Sequence, residues 1–223
     1  MANLKPFLRA TPDQYTASID PKPDLTSPAY LAELAEVRDL GSAMSATRTP
    51  EQSEIAKFWT TNMVIQTNAS YRNQATIHRL NLMDTARLMA MGNMLASDSL
   101  IATFDVKYDL NFNFWRPVTA IRHTNPDGTY SATELNTWMP VEMTPNFPEY
   151  VAGHGSFVAA QADLYAEFFG FGTDPAVTID LDSLATNTTR SYASPQAIKD
   201  EVINARTWGG MHFRSSTVLA VDL

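Results

Sequence analysis

With 223 residues, 44% of them hydrophobic and 18% charged, the chain is long enough and apolar enough to bury a core of its own. Its formal charge of -8 excludes the broad basic face that nucleic-acid binding requires, and the lack of cysteine excludes disulfides, thiolate metal sites and a cysteine nucleophile. No run approaches the ~18 apolar residues of a membrane-crossing helix. The start, Met1-Ala2-Asn3-Leu4-Lys5-Pro6, lacks the basic-then-apolar pattern of a signal peptide. The chain therefore reads as soluble and off the membrane; its compartment is open, and secretion would require a leader ahead of Met1.

Residues 1–26 carry four prolines and no periodicity, which predicts an extended surface segment. Residues 27–223 read as one helical domain. Ser27-Pro28 pairs an N-cap with proline at the first helical position and opens a helix to about Gly41. Thr49-Pro50-Glu51-Gln52 combines a capping box with the same proline signal, and opens a helix through Phe58 and Trp59. From 71 to 108, apolar residues at Leu80, Met83, Ala86, Leu88, Met91, Met94 and Leu95 predict one long helix whose methionines and alanines fill the core. Residues 124–150 read as loop, with a turn at Asn125-Pro126-Asp127-Gly128 and breakers at Pro140, Pro145 and Pro148. Within it, Ser131-Ala132-Thr133-Glu134 has the pattern that caps a short helix. A helix follows Gly153-His154 and stops at Gly170, and Ser194-Pro195 opens another that runs through Arg206 towards Gly209-Gly210. The best strand signal, 176–180, is short. The fold class expected is an all-α bundle with an extended N-terminal segment.

Three segments carry chemistry. In the first, Arg116 stands directly before Pro117 and after Phe112, Phe114 and Trp115, with Lys107 upstream. An aromatic wall lowers the local dielectric around a guanidinium and strengthens its hold on an anion. In the second, Phe147-Pro148-Glu149-Tyr150-Val151-Ala152-Gly153-His154, small residues precede a helix whose first N–H groups and positive end favour an anion. A histidine there can donate to an oxyanion or act as acid or base. In the third, Arg206 and His212 are six residues apart across Gly209-Gly210, which let the chain turn back so that both side chains face one centre. His78 and His123 lack such company. Five of the sixteen Lys and Arg residues fall in the first and third segments, a local cationic cluster on an acidic chain.

In order, these segments resemble the signature of the vanadium-dependent haloperoxidases and of the acid phosphatases of the type 2 phosphatidic-acid-phosphatase superfamily: K-x6-R-P, then P-S-G-H, then R-x5-H-x3-D. The stretches 113–122 and 208–214 are most similar to the bacterial haloperoxidase-like branch. The resemblance implies that Lys107, Arg116, Arg206 and the Gly153 N–H bind an oxyanion. It further implies that His212 bonds the central atom, and that His154 acts as acid and base. It implies vanadate as cofactor, with His212 its protein ligand, and hydrogen peroxide and halide as small-molecule substrates. The alternatives are a soluble acid phosphatase that uses His212 as nucleophile on a phosphate ester, or an inactive anion-binding homologue. Homo-oligomers are compatible with it.

Four departures from the signature stand out. Lys107 precedes Arg116 by nine residues rather than seven, which on a helix rotates it by ~200°. Ala152 replaces the serine and removes a hydroxyl donor, and Ser216 replaces the aspartate that orients the last histidine. The chain ends eleven residues after His212, where a further packed helix is expected.

Overall fold

The computed structural model describes residues 4–8, 19–125 and 127–223. It is mainly helical: α1 (Pro28–Leu40), α2 (Pro50–Phe58), α3 (Met63–Ile77), α4 (Leu82–Tyr108), α5 (Pro117–His123), α6 (Gly153–Phe169), α7 (Pro195–Trp208) and α8 (Arg214–Val221), with a hairpin of β1 (Ile179–Ser183) and β2 (Thr188–Tyr192) between α6 and α7. Most helix starts follow from their caps. Ser27 Oγ accepts the Tyr30 N–H, Thr49 and Gln52 form a reciprocal capping box, and Asn62, Asn81 and Ser194 cap α3, α4 and α7. Gly170, at φ 73°, ends α6 in the left-handed conformation that glycine adopts without penalty. Of the extended segment expected over 1–26, residues 1–3 and 9–18 lie outside the described residues, as does Pro126 of the expected turn.

Three details differ from the sequence expectation. The long helix expected over 71–108 is two helices, α3 and α4, separated at Arg79, whose φ is 50°. Asn81 then restarts the helix by accepting the Asp84 N–H. Apolar spacing runs across the break because both helices pack against α6. Residues 131–134 do not coil into a helix; the Ser131 and Leu135 N–H groups bond the carbonyls of His123 and Arg122 and hold the segment against the end of α5. The strand expected at 176–180 begins at Ile179 and pairs antiparallel with a second strand, Ile179 facing Tyr192. That partner, Thr-Thr-Arg-Ser-Tyr, has too little apolar alternation to stand out.

α6 is the central helix and packs on α4, α7 and α8. Two hydrophobic clusters result. One gathers Phe58, Trp59, Tyr71, Phe157 and Tyr165 with the inward face of β1; the other gathers Tyr30, Val106, Phe114, Tyr150 and Phe213. The hairpin is tied on by side chains spaced four apart along α3: Gln66, Ser70 and Gln74 donate to the carbonyls of Asp182, Asp180 and Thr178. This satisfies an edge strand that would otherwise bury unpaired acceptors. Among the described residues no helix is long and apolar enough to cross a membrane.

Candidate oxyanion site

The cationic residues of the first and third segments meet where the two clusters adjoin. Lys107 lies in the last turn of α4, fully buried, and its ammonium donates to the carbonyls of Pro148 (2.9 Å) and Glu149 (2.8 Å). The nine-residue spacing to Arg116 is absorbed outside the helix. α4 ends at Tyr108, and a tight turn follows in which the Asp109 carbonyl accepts from both Phe112 and Asn113. Arg116 is the N-cap of α5, set in extended conformation by the proline that follows. Its Nε donates to the Phe147 carbonyl (3.0 Å) and its Nη1 to the Met211 carbonyl (2.9 Å), while Nη2 is buried without a partner. The Phe147 ring lies 4.9 Å from the Arg116 guanidinium and 5.3 Å from the Lys107 ammonium, within cation–π range of both.

The second segment supplies a bare helix end. No side chain caps α6 at Ala152, whose own N–H is held by the Ser216 carbonyl at 3.1 Å. Gly153 and Gly155 serve different ends. A Cβ at Gly155 would lie 2.8 Å from the Ala220 Cβ, so this glycine lets α8 approach; a Cβ at Gly153 would meet only a Thr103 methyl at 3.6 Å. The first turn at Gly153-His154 thus leaves the positive end of a helix of 17 residues without a capping side chain.

In the third segment α7 ends at Trp208, and Gly210 at φ 76° turns the chain. The Met211 and His212 N–H groups both fold back onto the Arg206 carbonyl, at 3.1 and 3.3 Å. Arg206 and His212 thereby face one centre. Arg206 Nη1 donates to the Trp59 carbonyl (3.3 Å) and its Nε is buried without a partner. Outer contacts brace the turn: Arg214 is paired with Glu36, and the Glu33 carboxylate accepts the Ser215 N–H at 3.0 Å at the start of α8.

The state of His212 follows from its neighbours. Its Nε2 lies 3.0 Å from Arg116 Nη1, and arginine can only donate, so Nε2 bears the lone pair. The ring proton is then on Nδ1, which donates to Glu149 Oε1 at 2.7 Å. Burial and the cations Arg116, Lys107 and Arg206 hold the ring far below its usual pKa, so it is neutral. His154 is lowered by burial and the same three cations, against the pull of the Trp59 carbonyl; its residue keeps partial exposure. Both rings thus lie within electrostatic reach of the same three cations. Burial also lowers Lys107 well below the usual lysine range and brings Arg116 and Arg206 to about 10. For Glu149, burial raises the carboxyl while Lys107 and Arg116 lower it.

Of the sequence candidates, Lys107, Arg116, His154, Arg206 and His212 lie within electrostatic reach of one another, and Gly153 adjoins His154 at the start of α6. His78 stacks on Phe169 and His123 binds the Ser131 carbonyl, each outside the cluster. Sequence reasoning missed the Trp59 carbonyl, the Phe147 ring and above all Glu149. The signal for Glu149 was an acid inside the otherwise apolar run before Gly153-His154. Lys107 and Arg116 face the buried carboxylate of Glu149, Arg206 has the half-buried Glu142 as its acidic neighbour, and two guanidinium nitrogens, Arg116 Nη2 and Arg206 Nε, are buried without partners. Buried charge and unmet donors are costly unless something answers them, and a multiply charged tetrahedral oxyanion answers both. A cleft of about 500 Å³ lined by Met91, Leu95, Asp98, Ala159 and Leu223 lies apart from this cluster. It is charge, not volume, that marks the site.

The helical scaffold carries a buried cluster of cations around a neutral histidine, which sets it in the class of helical-bundle proteins with a charged core. The particular family follows: residues 87–223 match the VCPO second helical-bundle domain, and the chain belongs to the vanadium haloperoxidase superfamily through it. Among solved structures it is similar to "the first bacterial vanadium dependant iodoperoxidase", at 25% identity and TM-score 0.78 over 98% of this chain and 53% of that one. It shares the fold of holo- and apo-type bacterial vanadium-dependent chloroperoxidases, at 19% and 18% identity and TM-scores of 0.74 and 0.72, covering 99% of this chain and 51% of each. The chain thus spans about half the length of the structures it matches. Among curated proteins none matches it significantly by sequence.

Proposed function

We propose that this chain binds vanadate and acts as a haloperoxidase-like enzyme, oxidising halide with hydrogen peroxide. The observation that carries this reading is the pair of buried, unpartnered guanidinium donors, Arg116 Nη2 and Arg206 Nε, beside a histidine whose Nε2 bears a lone pair. Lys107, Arg116, Arg206 and the Gly153 N–H would hold the oxygens, and His212 Nε2 the central atom. Bound vanadate supplies a Lewis acid that makes peroxide electrophilic towards halide. His154, neutral, takes and returns a proton through the ring nitrogen turned from the Trp59 carbonyl. The apolar wall of Phe147 and Phe104, whose rings lie 5.2 Å apart, limits water at the cations.

A second reading uses the same lone pair. An unprotonated Nε2 held among cations is equally a nucleophile for a phosphate ester, which would make the chain an acid phosphatase. The two are separated by one set of assays. Vanadate- and peroxide-dependent halogenation of a dione reporter, lost in His212→Ala, is expected. Hydrolysis of an aryl phosphate, with vanadate as competitive inhibitor and no halogenation, would replace the first reading with the second. A folded protein that binds vanadate and does neither would overturn both.

A further inference from the structure

Glu149 joins the three segments at one residue. Its main-chain carbonyl accepts Lys107 Nζ at 2.8 Å, and its N–H binds the Phe114 carbonyl at 3.1 Å. Its carboxylate Oε1 accepts twice from the third segment, from His212 Nδ1–H at 2.7 Å and from the Phe213 N–H at 3.1 Å. Both residues of this hydrogen bond are buried, His212 at 3% exposure and Glu149 at 0%. A single oxygen that grips the ring and the next main-chain N–H leaves the imidazole little freedom to rotate. We propose that Glu149 is the positioning residue for His212, supplying from the segment before α6 the carboxylate that position 216 of α8 lacks.

The surroundings of Ser216 support this. Its hydroxyl is buried without a hydrogen-bond partner, as is Glu149 Oε2, and its carbonyl holds the Ala152 N–H at 3.1 Å. An acid at 216 would therefore face Glu149 directly, and two like charges buried against one ring would repel. Ser216 is the small, neutral side chain that a carboxylate arriving from 149 demands. The proposal rests on His212 as the residue that bonds the oxyanion, but the contact can be tested without any anion.

The experiment follows the His212 Nδ1–H in histidine-labelled protein by NMR, with no vanadate added, in the wild type, Glu149→Gln, Glu149→Ala and the double variant Glu149→Ala/Ser216→Asp. A downfield, slowly exchanging Nδ1–H is expected in the wild type. In Glu149→Gln, which keeps the shape and an acceptor oxygen, it should move upfield, and in Glu149→Ala it should exchange with solvent. In the double variant it should return. Titration with inorganic vanadate should then show affinity reduced roughly 10- to 100-fold in Glu149→Ala and at least partly restored in the double variant. An unchanged Nδ1–H in both single variants would overturn the proposal. So would failure of Ser216→Asp to restore the signal in a folded double variant. Should Glu149→Ala not fold, Glu149→Gln decides by its upfield shift. If wild-type protein shows the Nδ1–H behaviour but binds no vanadate, the functional reading fails while the positioning role of Glu149 stands.

Discussion

Arg116 and Arg206 each spend part of their guanidinium on main-chain carbonyls and leave one buried nitrogen unanswered. The carbonyl contacts aim the side chains; the unanswered donors are what an oxyanion would engage. Hydrogen bonds to charged groups are worth about 1.5–3 kcal/mol, so Arg206→Met should weaken vanadate or phosphate binding by roughly 10- to 100-fold, measured by calorimetry. Binding unchanged within twofold would remove Arg206 from the site. Ala152 offers the converse. As N-cap of α6 it contributes no side-chain hydrogen bond, and Ala152→Ser should raise stability by about 1 kcal/mol through capping and also tighten anion binding. A higher melting temperature without tighter binding would show that the hydroxyl caps the helix only. Arg116, His154, Arg206 and His212 were legible in the sequence because each is punctuated by Pro or Gly, which dictate local backbone. Lys107 was obscured by its spacing, and only the turn on Asp109 explains how it still arrives. Glu149 also follows a proline, Pro148, but its role arises from a side chain that meets His212 and Phe213 across the fold, which local pattern does not report.

At the level of elements, the turn between α7 and α8 sets the site geometry. Gly210 has φ 76°, and a Cβ there would lie 2.6 Å from the Gly41 carbonyl oxygen and 2.7 Å from the Pro140 Cβ. Gly128 has φ 85°, but its Cβ would meet only Leu31 methyls, none closer than 3.8 Å. Gly128→Ala should therefore cost only the backbone strain of about 1 kcal/mol, and Gly210→Ala clearly more, since rigid backbone must move. Denaturant midpoints of the two variants check this, and equal losses would contradict the close approach of the 140 loop to the site turn. The helix caps were readable from short patterns, as was the Gly170 stop. The break between α3 and α4 was not, because apolar periodicity reports the face that is buried and continues across a kink when both helices face α6. β2 was hidden for the opposite reason: its polar side chains carry no pattern, and pairing with β1 gives it its structure.

Across the whole molecule, the site is a charge imbalance held by the fold. His154 and His212 are both held below the usual histidine range, so the unfolded chain takes up protons near pH 6.5 that the folded chain refuses. Their contribution to stability is complete above that pH and is lost as the pH falls through it. Glu149, raised by burial, acts in the opposite sense above the ordinary carboxylate range. Comparison of His154→Gln with the wild type isolates one histidine: the variant should lose less stability between pH 7.5 and 5.5. A parallel loss would show that His154 titrates normally in the folded state. An oxyanion that binds only the folded chain should also raise the melting temperature with concentration, and more at low ionic strength than at high.

The central claim is that Lys107, Arg116, Arg206 and His212 form one oxyanion site with His212 Nε2 as the bonding atom. A crystal structure of the protein grown with vanadate tests it most directly. Vanadium is expected at His212 Nε2, with its oxygens on Arg116, Arg206, Lys107 and the Gly153 N–H. Vanadate bound elsewhere, or the four side chains closed on one another with no anion at saturating vanadate, would contradict it.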